Sequence, residues 1–267
     1  MDSEAVLKLY DRQMRREARP DEAGAVIERT GGVVRQLGPE GGWSAVLWSD
    51  LDEESADAAI AEQVRFFGAA GRDVEWKTYG HDRPADLPAR LTAAGFTAEE
   101  REALLVAETA ALPLDVPPPD GIRLLPVTEE ADVALVEKVH DQAFEGGRSV
   151  IGQLLRSQLA QDPGTVAAVV ALAGDEPVSA ARLELHPGTD FVSLWGGGTV
   201  PAWRGRGIYR SLVAFRTRIA AERGFRYVHV DASPYSRPIL ERLGFAVLGT
   251  TTPYVLEAKD NPQARIS

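Results

Sequence analysis

The run GGGTVPAWRGRGIYRSL at residues 196–212 decides how the rest of the chain is read. It follows FVSLW at 191–195, whose apolar content reads as a strand, and it opens an amphipathic helix with Ile208, Leu212, Phe215 and Ile219 at helical spacing. Gly205 and Gly207 lie between the two. Glycines let a backbone turn tightly with several N–H groups pointing inward, and a helix N-terminus adds unpaired N–H groups and partial positive charge. Such a loop suits phosphate. Between Trp203 and Arg226 there are seven arginines against one acid, Glu222, so an anion is the expected ligand. The loop is not of the Walker A kind, since no Gly-Lys-Ser/Thr follows, and it lacks the G-x-G-x-x-G of a dinucleotide fold.

Downstream, the spacing predicts a strand at 226–230, a short helix at 237–243 and strands near 245–248 and 254–256. Upstream it predicts a strand at 122–127, helices at 129–144 and 149–160, and strands at 166–173, 177–186 and 191–200. VAAVVALA at 166–173 is a continuous apolar run, as expected of a strand covered on both faces. Turns at GDEP and HPGTD make the middle strands an antiparallel meander. The first half repeats the last part of this pattern. GRDVEW…ARLTAAGF, ending at Phe96, and GFRYVH…ILERLGF, ending at Phe245, both read Gly, strand, short helix, Gly-Phe, and each is preceded by an amphipathic helix. A diverged duplication accounts for this.

The chain of 267 residues is 44% apolar and 26% charged, enough for one large domain or two small ones. No apolar run reaches the roughly 18 residues of a membrane span, and the mixed-charge N-terminus is unlike a signal peptide, so a cytoplasmic protein is expected. The absence of cysteine excludes disulfides, thiolate nucleophiles and thiolate metal sites, and four scattered histidines give no metal cluster. No metal is expected. A net charge of −11 argues against nucleic acid or an anionic membrane as partner. That acidity lies wholly in residues 1–120, with 13 Lys and Arg against 24 Asp and Glu, while the remainder is balanced. The stretch LPLDVPPPDG at 112–121 reads as a semi-rigid linker. The expected layout is therefore a first domain at 1–111, the linker, a second domain at 122–257 and a tail at 258–267.

Strand, V-P-x-x-R-G-R-G-I, helix, strand, short helix and L-G-F together resemble the GNAT superfamily of acyl-CoA-dependent N-acyltransferases over residues 121–257. The resemblance implies an α/β (α+β) fold of two GNAT-like domains, each a mixed, mostly antiparallel sheet flanked by helices. It implies that Arg204, Gly205, Arg206, Gly207, Ile208 and Tyr209 wrap the pyrophosphate of acetyl-CoA, and that Gly197, Gly198, Thr199 and Val200 pair with its pantetheine. The two parallel central strands should splay after Gly196 and open a slot for the thioester. Residues 1–111 resemble a degenerate copy: the segment SDLDEES at 49–55 stands where its loop would be, with no glycine and four acids, so only the C-terminal half should bind cofactor. Two departures bear on chemistry. Tyr209 occupies a position that is small in many members, and Leu240 stands where many carry the tyrosine that protonates the thiolate. Ser233 and Ser236 are placed to hydrogen-bond pantetheine or a water.

Acyl transfer to an amine needs a base, donors for the oxyanion and a proton for the departing thiolate. Backbone N–H groups near Thr199 and Val200 can supply the oxyanion donors. Strand alternation puts Arg182, Glu184 and His186 on one face, and Tyr227, His229 and Asp231 on one face of another strand. Glu184 or His229 is the candidate base, directly or through water, against the plainer readings of His229 as a core or edge histidine and of Glu184 as an exposed strand residue paired with Arg182. Tyr235 is the candidate acid. The expected activity is transfer of an acetyl group to a primary amine of a small molecule by direct attack, in a protein open to homodimer formation. The alternative is a CoA- or small-molecule-binding module without turnover.

Overall fold

The computed structural model describes residues 1–22, 24–144 and 151–258. The expected tail from 259 on, and the first two residues of the helix expected at 149–160, lie outside these. In chain order the elements are α1 (Ser3–Tyr10), a π-helical segment (Asp11–Arg16), β1 (Val26–Thr30), β2 (Val33–Leu37), β3 (Ala45–Ser49), α2 (Ala56–Ala70), β4 (Val74–Tyr79), α3 (Leu87–Ala93), β5 (Thr97–Ala98) and β6 (Glu102–Glu108). They continue with β7 (Ile122–Val127), α4 (Glu130–Ala143), α5 (Ile151–Gln161), β8 (Val166–Ala173), β9 (Glu176–Leu185), β10 (Phe191–Thr199), α6 (Ile208–Glu222), β11 (Tyr227–Ala232), α7 (Arg237–Leu243) and β12 (Ala246–Leu256).

Two compact units share this chain. The larger holds Leu105–Val230 and Tyr235–Val247, and the smaller holds Asp2–Leu104, Asp231–Pro234 and the chain from Leu248. Each unit therefore takes chain from both sides of the proline-rich stretch. β12 is the reason on the smaller side. It is one continuous strand where two short ones were expected, and it runs antiparallel to β4 from Thr251↔Tyr79 to Leu256↔Val74. Three β-branched threonines at 250–252 carry it through, with Thr251 Oγ1 donating to Thr78 O and Thr78 Oγ1 to Thr252 O.

In the smaller unit the strand order is β1-β2-β3-β4-β12, with β5 on β12. Only β3 and β4 are parallel there among the registered pairs, over Ala45↔Glu75 and Val46↔Trp76. Val46, Ile60, Phe67, Trp76, Leu87, Leu91 and Phe96 form the core between sheet and helices. In the larger unit the order is β6-β11-β10-β9-β8-β7. Here α4 and α5 cover one face, with Val133, Val136 and Leu155 on Ala168, Val170 and Leu172. The other face is covered by α6, whose Ile208 and Leu212 lie on Val169, Ala171, Val178 and Ala181. β8 is thus apolar on both sides because both sides are covered. Each valine, leucine or isoleucine among these contributes about 1.5–3 kcal/mol on burial.

The repeat seen in the sequence recurs in three dimensions. α2 and α6 are both 15 residues long, β4 and β11 both six, α3 and α7 both seven, and each short helix has proline in its first turn. Gly71 and Gly224 leave the long helices with φ of 63° and 78°, a region that costs glycine nothing.

Within the smaller unit Lys77 pairs with Asp231, whose side chain is 2% exposed. Asp231 raises the lysine's pKa against the opposing effect of burial, which itself is the largest influence on the group. Removing one member of such a pair leaves a buried charge uncompensated, at a cost of about 3–5 kcal/mol, whereas replacing both with apolar groups is often neutral. Lys77→Met should therefore lower the unfolding free energy by about 3–5 kcal/mol in urea, and the double variant Lys77→Met/Asp231→Leu should recover most of that loss.

Candidate active site

β10 is the element on which the site is built. It pairs with β11 in parallel over only three positions, Phe191↔Tyr227, Val192↔Val228 and Ser193↔His229. On its other side it continues antiparallel to β9 as far as Thr199↔Ser179, with a register shift between Trp195 and Gly198. The two parallel strands therefore part after Ser193, three residues earlier than the resemblance implied. Gly196, inside the shift, has φ of 55°, and a Cβ there would stand 3.2 Å from the His140 ring. Glycine is what this bulge requires.

The last paired row runs Glu184–Ser193–His229 across three strands, because Ser193 faces Glu184 on β9 and His229 on β11. The side chains of this face form a connected polar layer. Arg182 donates to Glu184 through Nε (3.0 Å) and Nη2 (2.9 Å), and both side chains are about one-seventh exposed, at 14% and 15%. Trp195 Nε1 donates to Ser193 Oγ at 2.7 Å, and His186 Nε2 lies 2.8 Å from the same oxygen. The His186 ring stacks on that of His229 with centroids 6.1 Å apart, and burial lowers the His186 pKa, so it is neutral near pH 7. His229 is 4% exposed. From α4, His140 Nε2 lies 3.1 Å from Gly196 O; a carbonyl only accepts, so Nε2 carries the proton. Desolvation lowers the His140 pKa as well.

At the far end of β10, Ser179 Oγ donates to Gly198 O at 2.7 Å, which leaves Thr199 Oγ1 to donate to Ser179 Oγ at 2.8 Å. The Val200 N–H donates to Val178 O at 2.9 Å, so it is committed and cannot serve as the oxyanion donor expected of it. The loop that follows holds Gly205 and Gly207 at φ of 74° and 86°. Among the described residues, no atom lies closer than 3.9 Å to where a Cβ would sit on either, apart from their chain neighbours. Gly207 N-caps α6 without a side-chain hydrogen bond, so no side chain occupies the cap.

The arginines do not all face that opening. Arg204 is a staple, its Nε donating to Thr199 O and its Nη2 to Ala143 O, both at 3.0 Å. Arg206 lies over the Trp203 ring at 4.5 Å and is exposed. Arg216 is 1% exposed, and burial lowers its pKa to about 10. Its Nη1 donates to Arg182 O at 2.9 Å and reaches Trp195 O at 3.5 Å, while Nη2 meets no acceptor at full hydrogen-bonding distance. The Tyr209 hydroxyl, seven residues earlier on the same helix face, is close enough to act on its charge. The Tyr209 ring packs on Gly197, where a Cβ would fall 2.8 Å from Cε2.

Glu184, His229, Gly197, Gly198, Thr199, Arg206, Gly207 and Tyr209 are thus gathered along β10, its neighbours and the start of α6. Ile208 is buried beneath them, 1% exposed. Tyr235 is 84% exposed, Leu240 is fully buried, and Ser236 caps α7 with its carbonyl, accepting from the Ile239 and Leu240 N–H groups. Ser233 belongs to the smaller unit. Alternation along FVSLW pointed to Ser193 and Trp195, and His140 falls at i+4 from Val136 and i+7 from Val133 on a buried helix face; neither signal was read from the sequence.

Residues 134–245 match the model of the Acetyltransferase (GNAT) family. No curated protein matches the chain. Among solved structures, a GCN5-related N-acetyltransferase from Kribbella flavida is 18% identical with a TM-score of 0.69, covering 98% of this chain and 96% of that one. A functionally unknown conserved protein from Staphylococcus epidermidis is 15% identical with a TM-score of 0.68, covering 88% and 95%. A tandem GNAT protein from the clavulanic acid biosynthesis pathway is 13% identical with a TM-score of 0.61, covering 90% and 85%. At these identities the likeness is one of fold. No helix among the described residues is long and apolar enough to cross a membrane, and no group of three or more His, Cys, Asp or Glu there could hold a metal ion.

Gly196→Ala is expected to destabilise the protein by about 1–3 kcal/mol, since it forces a side chain into a left-handed backbone against His140. A urea titration checks this, and His140→Ala in the same background should not restore the loss, because the backbone strain remains.

Proposed function

With residues 134–245 a GNAT-family acetyltransferase domain, we propose that the chain transfers an acetyl group from acetyl-CoA to a primary amine of a small molecule by direct attack. The observation that carries this reading is the parting of β10 and β11 immediately after the row Glu184–Ser193–His229. Beyond it, one edge of β10 has no strand to pair with among the described residues. An extended amide-bearing chain such as pantetheine can take that place along the backbone edge of Gly197 and Gly198, whose faces are packed by Tyr209 and by Phe144, and the open Gly205–Gly207 turn and first turn of α6 suit a pyrophosphate. Arg206 adds charge from the exposed rim. CoA is thus held by Gly197, Gly198, Thr199, Gly205, Arg206, Gly207 and the α6 amides, with Arg204 fixing the loop.

The thioester then lies near the crotch of the splay, where the polar layer offers a base. Glu184 and His229 flank Ser193 and are placed to take the ammonium proton, directly or through a water, so that the neutral amine attacks. Both lie on the row that ends the parallel pairing, on either side of Ser193. A binding module without turnover would keep the turn and the open strand edge but release no thiol in the presence of amines.

Gly207→Asp places a side chain and a negative charge where the pyrophosphate is to lie. It should abolish CoA binding in calorimetry while circular dichroism keeps the wild-type secondary structure; unchanged affinity would refute the cradle.

His229→Ala and Glu184→Gln should be compared in amine-dependent thiol release across pH. The variant that removes the base should lower turnover about 10²–10⁴-fold near neutral pH with CoA affinity intact. Its defect should shrink toward high pH, where bulk solvent already deprotonates the amine. Full activity of both variants at neutral pH would assign the reaction to positioning alone.

A further inference from the structure

Arg216 presents an unusual problem. Its guanidinium is buried under β9 and β10, it makes only carbonyl contacts through Nε and Nη1, and none of the ion pairs among the described residues involves it. A buried cation without a counter-charge is costly, and a group that becomes negative beside it would relieve that cost. On that face of α6 Tyr209 lies seven residues earlier, close enough to act on the guanidinium's charge. Its ring covers Gly197, and its hydroxyl stands 3.6 Å from where a Cβ of Gly197 would be. Gly197 is the exposed glycine of β10, on the segment that the proposed pantetheine follows. Elsewhere, Leu240 offers no proton and Tyr235 is 84% exposed at the surface.

We infer that the Tyr209 hydroxyl, backed by the Arg216 guanidinium, is the acid that protonates the departing thiolate. This rests on the acyl-transfer reading above. As the amine nitrogen bonds to the carbonyl carbon, the C–S bond breaks and its electron pair stays on sulfur. The phenolic proton passes to sulfur and gives a thiol. The phenolate left behind is paired with Arg216 and is reprotonated through solvent by the proton taken from the amine. Tyr209 is the catalytic residue in this step, and Arg216 is a positioning residue that stabilises the phenolate. Burial raises the phenol's pKa and Arg216 lowers it, the burial being the larger effect, so Tyr209 enters the step protonated.

Tyr209→Phe keeps the ring over Gly197 and removes only the hydroxyl. It should lower turnover about 10²-fold or more, leave CoA affinity within about twofold, and remove the alkaline limb of the pH–rate profile. A second readout needs no substrate. The ionisation of Tyr209, followed by absorbance near 295 nm as the difference between wild type and Tyr209→Phe, should move to higher pH in Arg216→Gln, by about one unit or more. Transfer by the wild type with turnover and alkaline limb unchanged in Tyr209→Phe would overturn the inference alone. So would an ionisation that Arg216→Gln does not move, or loss of the alkaline limb in Tyr235→Phe instead. A wild-type protein that releases no thiol with any amine would overturn the acyl-transfer reading and this inference together.

Discussion

The larger unit depends on a parallel strand pair that stops pairing after three residues. Parallel strands ordinarily continue their ladder, since every unpaired N–H and C=O that leaves water must find another partner. β10 and β11 part because β10 enters a bulge at Gly196, whose left-handed backbone no larger residue adopts without strain. His140 closes over that bulge from α4 by donating to Gly196 O, while Arg216 reaches Trp195 O from α6. Helices on opposite faces of the sheet thus hold the same turn of strand. The parting of the two strands is built into the fold by contacts from both faces.

Electrostatics follow from this placement. The cationic stretch around α6 separates into three functions once the side chains are located. Arg204 ties the loop to β10 and α4, Arg206 stays at the surface, and Arg216 is buried with its charge unmatched by a carboxylate among the described residues. A count of seven arginines suggested a diffuse attraction for an anion; the structure instead gives a surface contribution and an internal one. The internal charge acts on the phenol of Tyr209, whose ring packs on Gly197 of β10.

The glycine turn ahead of α6 was legible because glycine positions are properties of the sequence itself. Both turn glycines indeed have positive φ, and α6 begins directly after them. The helix–strand–helix repeat was legible for the same reason, since amphipathic spacing and the closing Gly-Phe are local. Register was not. Alternation placed Glu184 and His229 on faces, but only strand pairing puts Ser193 between them and ends the ladder there. β12 was read as two fragments because its partner, β4, lies more than 170 residues away, as Thr251 and Thr78 illustrate. The burial of Arg216 follows Ile208 and Leu212 at i+8 and i+4, a period that a charged residue conceals when apolar positions alone are counted.

The most direct test of the account is a crystal structure of the protein with CoA bound. The account predicts one CoA per chain, its pyrophosphate on the amides of the Gly205–Gly207 turn and the first turn of α6, its pantetheine paired along the open edge of β10 at Gly197–Thr199, and its sulfur within reach of the Tyr209 hydroxyl. CoA bound elsewhere, or with β10 and β11 closed into a continuous ladder, would contradict it.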